Sequence, residues 1–159
     1  MGHHQRLSIN DADPSAYPAV LGMERYVQGS GLPKALYELV KIRASQLNGC
    51  AFCLDMHNRD ARAGGEDQRR LDVVSAWREA PRLFSEQEQA ALALTEAVTL
   101  ISRDGVPDEV WENASKQFGD TGMVHLLMAI ATINVWNRLA VSTHQDLPEL
   151  AATTSGGHG

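Results

Sequence analysis

Apolar residues in this chain recur three and four positions apart and never form a strand-like alternating run. That periodicity restricts the fold to helices packed on helices, because a period near 3.6 builds one apolar stripe per helix and leaves no two-faced strand to pair. The clearest case lies between Pro33 and Gly49. Leu36, Leu39, Val40 and Leu47 share a stripe, Pro33 suits a first helical turn, and Asn48-Gly49 reads as a C-terminal stop. With 159 residues, 43% of them hydrophobic, the chain can bury a core without needing disulfides or metal to fold. The expectation is one domain, an all-α bundle of about six to seven helices.

Breakers and caps divide the chain. Residues 1–11 are polar and 148–159 run into Ala-Ala-Thr-Thr-Ser-Gly-Gly-His-Gly, so both ends are expected to be flexible and the domain to span 12–147. A first helix starts near Asp13-Pro14-Ser15 and carries Val20, Leu21, Met23, Tyr26 and Val27 to Gly29-Ser30-Gly31. After the Pro33 helix, a third runs from about Cys50 to Gly64-Gly65 and a fourth from Glu66 to Trp77, stopping before Pro81. Ser85 and Glu88 form a capping-box pattern ahead of a long, alanine-rich helix that continues toward Arg103-Asp104-Gly105. Pro107-Asp108 opens a short helix through Phe118. Asp120 or Thr121 then caps a last one, apolar around much of its circumference from Met123 to Val141, which suits a central or intersubunit position.

Charge excludes whole classes of partner. Lys and Arg total 14 against 20 Asp and Glu, a net charge of −6, so the basic footprint of a nucleic-acid binder is missing. No uninterrupted apolar run approaches the ~20 residues of a membrane span. The polar start lacks a signal-peptide core, and Arg6 stands where a myristoylation motif beginning at Gly2 requires Ser or Thr. A cytoplasmic protein without nucleic-acid or membrane partners is expected. The His3-His4 pair is set aside from the fold argument.

Chemistry concentrates in Glu38 to His57, which holds both cysteines of the chain. On a helix starting at Cys50, residues three and four apart share a face, so Cys50, Cys53 and His57 form one row of sulfur, sulfur and imidazole. Unpaired N–H groups and the positive end of the helix dipole favour a thiolate at Cys50, and His57 can act as base for Cys53. Glu38 precedes Cys50 by twelve residues, which on an unbroken helix would set them roughly 120° apart. The Asn48-Gly49 break removes that obstacle: a turn there folds one helix beside the next, and Glu38 can meet His57 and Cys53 as the far end of a proton relay. Two other readings use the same residues. The cysteines can be small buried residues with His57 a satisfied core histidine, or Cys50, Cys53, His57 and Glu38 can offer zinc four ligands, though without the second knuckle of a structural site.

Glu38, eleven residues, Cys50-Ala51-Phe52-Cys53, three residues and His57 resemble the signature of the alkylhydroperoxidase D family, within the carboxymuconolactone decarboxylase superfamily. Leu39-Val40-Lys41-Ile42-Arg43-Ala44-Ser45-Gln46, Asn48-Gly49-Cys50 and the later Ala131-Thr132-Ile133-Asn134-Val135-Trp136-Asn137-Arg138 extend the likeness from about Leu36 to Leu139. The resemblance implies an all-α subunit, assembled into trimers or hexamers, that reduces hydroperoxides without a cofactor. It implies that Cys53 is the peroxidatic thiolate, that His57 and Glu38 move its proton, and that Cys50 resolves the sulfenic acid as a disulfide. It also implies a thiol reductant, lipoylated or thioredoxin-like. Phe52 stands where some members carry His, which removes one relay group and dries the pocket. A redox-sensing or zinc-binding module without turnover, and a decarboxylase-like enzyme that needs neither thiol, are the alternatives.

The remaining notable residues read as structural. His125 is expected to be packed or interfacial and His144 solvated, Arg43 ion-paired, and Trp77, Trp111, Tyr26 and Tyr37 core or interface anchors. Asn134, Trp136, Asn137 and Arg138 are not expected to be catalytic. The run Glu66-Asp67-Gln68-Arg69-Arg70 reads as the solvated start of a helix.

Overall fold

A computed structural model describes residues 3–148; Met1 and Gly2, and residues 149–159 of the expected tail, lie outside the described residues. Among the described residues there is no strand. Eight α-helices follow in order: α1 (Ile9–Ala12), α2 (Ala16–Gly29), α3 (Lys34–Asn48), α4 (Ala51–Ala63), α5 (Gln68–Val73), α6 (Glu86–Thr99), α7 (Ile101–Asp104) and α8 (Asp108–Thr143). The helices α1 and α7 are single turns of 4 residues, so the expected all-α bundle is present in the remaining six. Residues 3–8 lie against the end of α8: the Arg6 N–H donates to the Thr143 carbonyl at 2.8 Å, and its guanidinium to the Ser142 carbonyl at 3.2 Å.

Helix α3 is the central strut, packed on α4, α6 and α8. Leu36 and Val40 join Leu94, Leu126 and Ile130 in one core cluster, while Leu39 and Ile42 join Leu71, Val74, Trp77 and Leu92 in another. An apolar stripe on two sides is what a helix between two layers requires. By length and composition α8 qualifies as a membrane-crossing helix, yet it packs on α2, α3 and α6, the central position its apolar circumference suggests. Gly119 (φ 65°, ψ 175°) interrupts α8 between Phe118 and Asp120, at the boundary that the sequence places between two helices.

Three local departures have physical causes. The expected helix from Glu66 to Trp77 stops at Val73 and tightens into a 3₁₀ segment, Val74–Glu79, with Ala76 outside helical geometry. The tighter winding accompanies burial of Trp77, whose indole N–H donates to Glu96 Oε1 at 2.9 Å. The helix announced by Ser85 and Glu88 forms its capping box as expected but ends at Thr99, and Leu100 (φ −100°, ψ 30°) separates it from α7. Arg70 is not part of a wholly solvated run. It pairs with Glu66 at 2.8 Å and Glu88 at 2.6 Å and donates to the Leu83 carbonyl, tying α5 to the capping box of α6.

The α3–α4 turn sets up everything downstream. Gly49 adopts the left-handed conformation (φ 63°, ψ 37°), its N–H donates to the Gln46 carbonyl and that of Cys50 to the Ser45 carbonyl at 3.0 Å, the bonding of a Schellman cap. Side chains lock the turn to α8. Asn48 Nδ2 donates to Asn134 Oδ1 at 3.0 Å and Asn137 Oδ1 at 2.9 Å, and the buried Asn137 donates in turn to Ser45 Oγ at 3.0 Å. A Cβ added at Gly49 meets nothing within 4 Å, so the cost of Gly49→Ala is conformational alone. It is expected to be about 1–2 kcal/mol, a melting temperature lower by roughly 2–8 °C. Asn137→Ala strands buried partners on α3 and is expected to cost about 1–3 kcal/mol. Thermal unfolding followed by circular dichroism checks both, and unchanged midpoints would show that the turn does not depend on them.

Candidate active site

Cys50 is the N-cap of α4 (φ −89°, ψ 96°), and its sulfur accepts the backbone N–H of Cys53 at 3.3 Å. The two cysteines are joined as a disulfide across a Cα–Cα distance of 5.4 Å. Both are almost wholly buried, against Ala140 of α8 with Phe52 beside them. His57 follows one turn after Cys53 on the same helix and is buried as well. The row of sulfur, sulfur and imidazole expected from the spacing is therefore built, at the end of α4 where amide N–H groups stabilise negative charge on sulfur.

Glu38 reaches this row from α3. Its Oε2 lies 3.4 Å from His57 Nδ1, and its Oε1 lies 3.0 Å from the ammonium of Lys41. At 3.4 Å the carboxylate and imidazole are in electrostatic contact without hydrogen-bond alignment, which leaves Glu38 Oε2 and both ring nitrogens of His57 buried and without a hydrogen-bond partner. Burial pushes the Glu38 carboxyl up, but the facing His57 and the Lys41 ammonium outweigh it and hold the group below its ordinary value of 4.5. The carboxylate is thus charged throughout the neutral range. Lys41 is buried too, with its ammonium 4.1 Å from the centroid of the Tyr37 ring, a contact that partly replaces lost hydration.

Cys53, His57 and Lys41 open on a cavity of about 490 Å³. Its apolar wall comes from Tyr17 and Leu21 of α2, Phe52 and Met56 of α4 and Trp136 of α8. Glu24 lines it as well but is committed, accepting from the Tyr37 hydroxyl at 2.8 Å and the Trp136 indole N–H at 3.0 Å. Burial and the adjacent Glu24 push the Tyr37 hydroxyl far above its ordinary range, so Tyr37 stays neutral. Among the described residues, ligand atoms of Glu38, His57 and the exposed Asp60 lie within 4.8 Å of one another and form a cluster with metal-ligating capacity. Lys41 already occupies one Glu38 oxygen. In the disulfide state Cys50 and Cys53 offer no thiolate, so the four-ligand zinc set weighed from the sequence would require the reduced form.

All four residues singled out from the sequence, Glu38, Cys50, Cys53 and His57, meet in one place. Sequence reasoning missed Lys41 as Glu38's second partner, although the two stand three residues apart on one helix and that spacing was the available signal; it also missed Asp60 and the α2 wall, which depend on contacts between helices. Arg43 pairs with Glu96 at 2.8 Å, away from the cysteines as expected. His125 packs edge-on to Tyr26, with 6.2 Å between ring centroids. His144, expected to be solvated, is half-buried and stacked on His3 at 4.5 Å.

Residues 14–97 match the carboxymuconolactone decarboxylase family. The chain is 40% identical over 138 residues to the uncharacterised protein YdfG of Bacillus subtilis, an alignment covering 87% of this chain and 93% of that one. It superposes with a TM-score of 0.88 and 41% identity on ATU0492 of Agrobacterium tumefaciens, a protein of unknown function suggested to be the antioxidant defence protein AhpD, covering 91% of this chain and 99% of that one. An uncharacterised peroxidase-related protein from Silicibacter sp. TM1040 shares the fold, with a TM-score of 0.72 at 21% identity over 82% of this chain and 69% of the other. The chain belongs to the carboxymuconolactone decarboxylase family, in its AhpD-like branch.

Proposed function

We propose that the protein is a thiol-dependent peroxidase that reduces hydroperoxides through the Cys50–Cys53 pair. The observation that carries this reading is the placement of Cys53 in the same cavity as His57, whose Nδ1 faces the buried carboxylate of Glu38. With Nδ1 turned to Glu38, Nε2 is the nitrogen left to exchange a proton with sulfur. In the reduced protein, His57 takes the Cys53 proton and the thiolate attacks the peroxide oxygen. The O–O bond breaks, Cys53 becomes a sulfenic acid, and the imidazolium returns the proton to the departing alkoxide. Cys50 then attacks the Cys53 sulfur, water leaves, and the disulfide forms. Each turn consumes one hydroperoxide and two thiols and yields an alcohol, water and a disulfide.

Glu38 stays ionised throughout this cycle because Lys41 and His57 hold its carboxyl down. Its role is to fix the imidazole tautomer and stabilise the imidazolium, not to store the proton. The cycle needs an external dithiol, lipoylated or thioredoxin-like, and a reducing cytoplasmic setting that supplies it. Assembly into trimers or hexamers belongs to the same reading. Leu21, Tyr26, Trp111 and Val124 leave large apolar side chains exposed on one chain, which copies of the chain would cover.

Intact mass after one equivalent of an organic hydroperoxide tests the roles. Reduced wild-type protein is expected to lose two hydrogens, Cys50→Ser to keep one oxygen, and Cys53→Ser to remain unchanged. Hydroperoxide left untouched by the reduced wild type would overturn the proposal, and activity surviving in the double cysteine variant would favour decarboxylase-like chemistry. His57→Ala is expected to slow oxidation by roughly 10²–10⁴-fold and to move the pH–rate profile alkaline. Glu38→Gln is expected to move the profile the same way with a smaller loss; unaltered profiles in both would remove the relay. Stability carries a second signature. A carboxyl whose folded value lies below the ordinary 4.5 contributes fully above that value, and the contribution is lost as pH falls through the folded-state value. Urea midpoints between about pH 7 and pH 3 are therefore expected to fall less steeply in Glu38→Gln than in wild type.

A further inference from the structure

We propose that peroxide and reductant act at opposite ends of the disulfide: peroxide in the cavity that Cys53 lines, and the dithiol reductant from a second pocket that Cys50 lines, so that reduction begins at the Cys50 sulfur. The assignment of the peroxide end rests on the peroxidase reading, whereas the choice of attacked sulfur stands on which cysteine borders which pocket. The second pocket has a volume of about 160 Å³ and is bordered by Gly49, Cys50, Ala51, Val141 and His144. Of these two pockets, Cys53, His57 and Lys41 border the larger and Cys50 the smaller. Phe52, Ala140 and Gln145 border both and form the partition.

Displacement at a disulfide sulfur is in-line: the attacking thiolate approaches along the extension of the S–S bond, opposite the sulfur that leaves. An attack on Cys50 therefore comes from the side away from Cys53, and the smaller pocket is the one that Cys50 borders. The bond between the reductant sulfur and Cys50 forms, the Cys50–Cys53 bond breaks, and the electron pair goes to Cys53. The departing Cys53 thiolate emerges on the helix face that carries His57, whose buried Nε2 has no hydrogen-bond partner. The second thiol of the reductant then attacks its own bonded sulfur, closes the reductant's disulfide and releases Cys50 as thiolate. A helix N-terminus that already directs an N–H onto Cys50 at 3.3 Å stabilises that product.

The test uses the oxidised wild-type protein and glutathione, a monothiol that stops at the mixed disulfide. Samples are quenched at the earliest times with excess N-ethylmaleimide, and fragmentation of the peptide from Ala44 to Arg59 locates each group. Glutathione on Cys50 with maleimide on Cys53 is the expected result; glutathione on Cys53, or an even split, would overturn the proposal. Ala51→Trp, at an exposed position on the rim, supplies an independent reading. It is expected to slow reduction of the disulfide by dithiothreitol severalfold and to leave oxidation of the reduced protein by peroxide unchanged, and the reverse pattern would also overturn it. Failure of the peroxidase reading looks different: glutathione would still map to Cys50, but the reduced protein would leave hydroperoxide intact.

Discussion

A single left-handed residue carries the architecture of the site. Because Gly49 reverses the chain within one Schellman turn, α4 lies beside α3, Cys50 becomes an N-cap, and Glu38, three turns back along α3, comes level with His57. None of these relations survives if the two helices are continuous. The turn is held from outside by amide side chains. Asn48, Asn137, Asn134 and Ser45 exchange hydrogen bonds, and at the fully buried Asn137 and Ser45 an unmade bond carries a full desolvation cost. Position 49 thus supplies the conformation, and α8 supplies the rigidity.

The buried charges follow the same logic of mutual dependence. A carboxylate removed from water is tolerated only when paired, and Glu38 has two partners of different character. Lys41 offers an ammonium 3.0 Å from one carboxylate oxygen, and His57 an imidazole that the other oxygen faces at 3.4 Å; together they hold the carboxyl below its ordinary value. The apolar wall from α2, Phe52 and Trp136 adds low polarity, which strengthens both contacts.

How much of this was readable in advance depended on the range of the interaction. The row of Cys50, Cys53 and His57 follows from spacing on one helix, and the Asn48-Gly49 pair marks the reversal that brings Glu38 to it. Helix limits at Gly29, Gly49 and the Ser85–Glu88 box follow from local chemistry in the same way. Contacts between helices were not readable. The Glu38–Lys41 pair is legible as a three-residue spacing on one helix but its burial is not, and Arg70 looks like a surface arginine until Glu88 is brought close. The 3₁₀ tightening after Val73 likewise answers to a distant partner, Glu96, which accepts the Trp77 indole N–H. Local signals set the elements, and burial then chose among the side chains they presented.

One consequence comes from the place where the two ends of the described chain meet. Residues 3–8 run along the last turn of α8, joined to it through Arg6, and His3 rests on His144 beside the Cys50-side pocket. His3 itself borders that pocket, so anything fused ahead of it is tethered on the Cys50 side of the disulfide. An N-terminal affinity tag or reporter domain therefore stands nearer to Cys50's pocket than to the Cys53 cavity, which His3 does not border, and reduction of the disulfide is best measured on untagged protein.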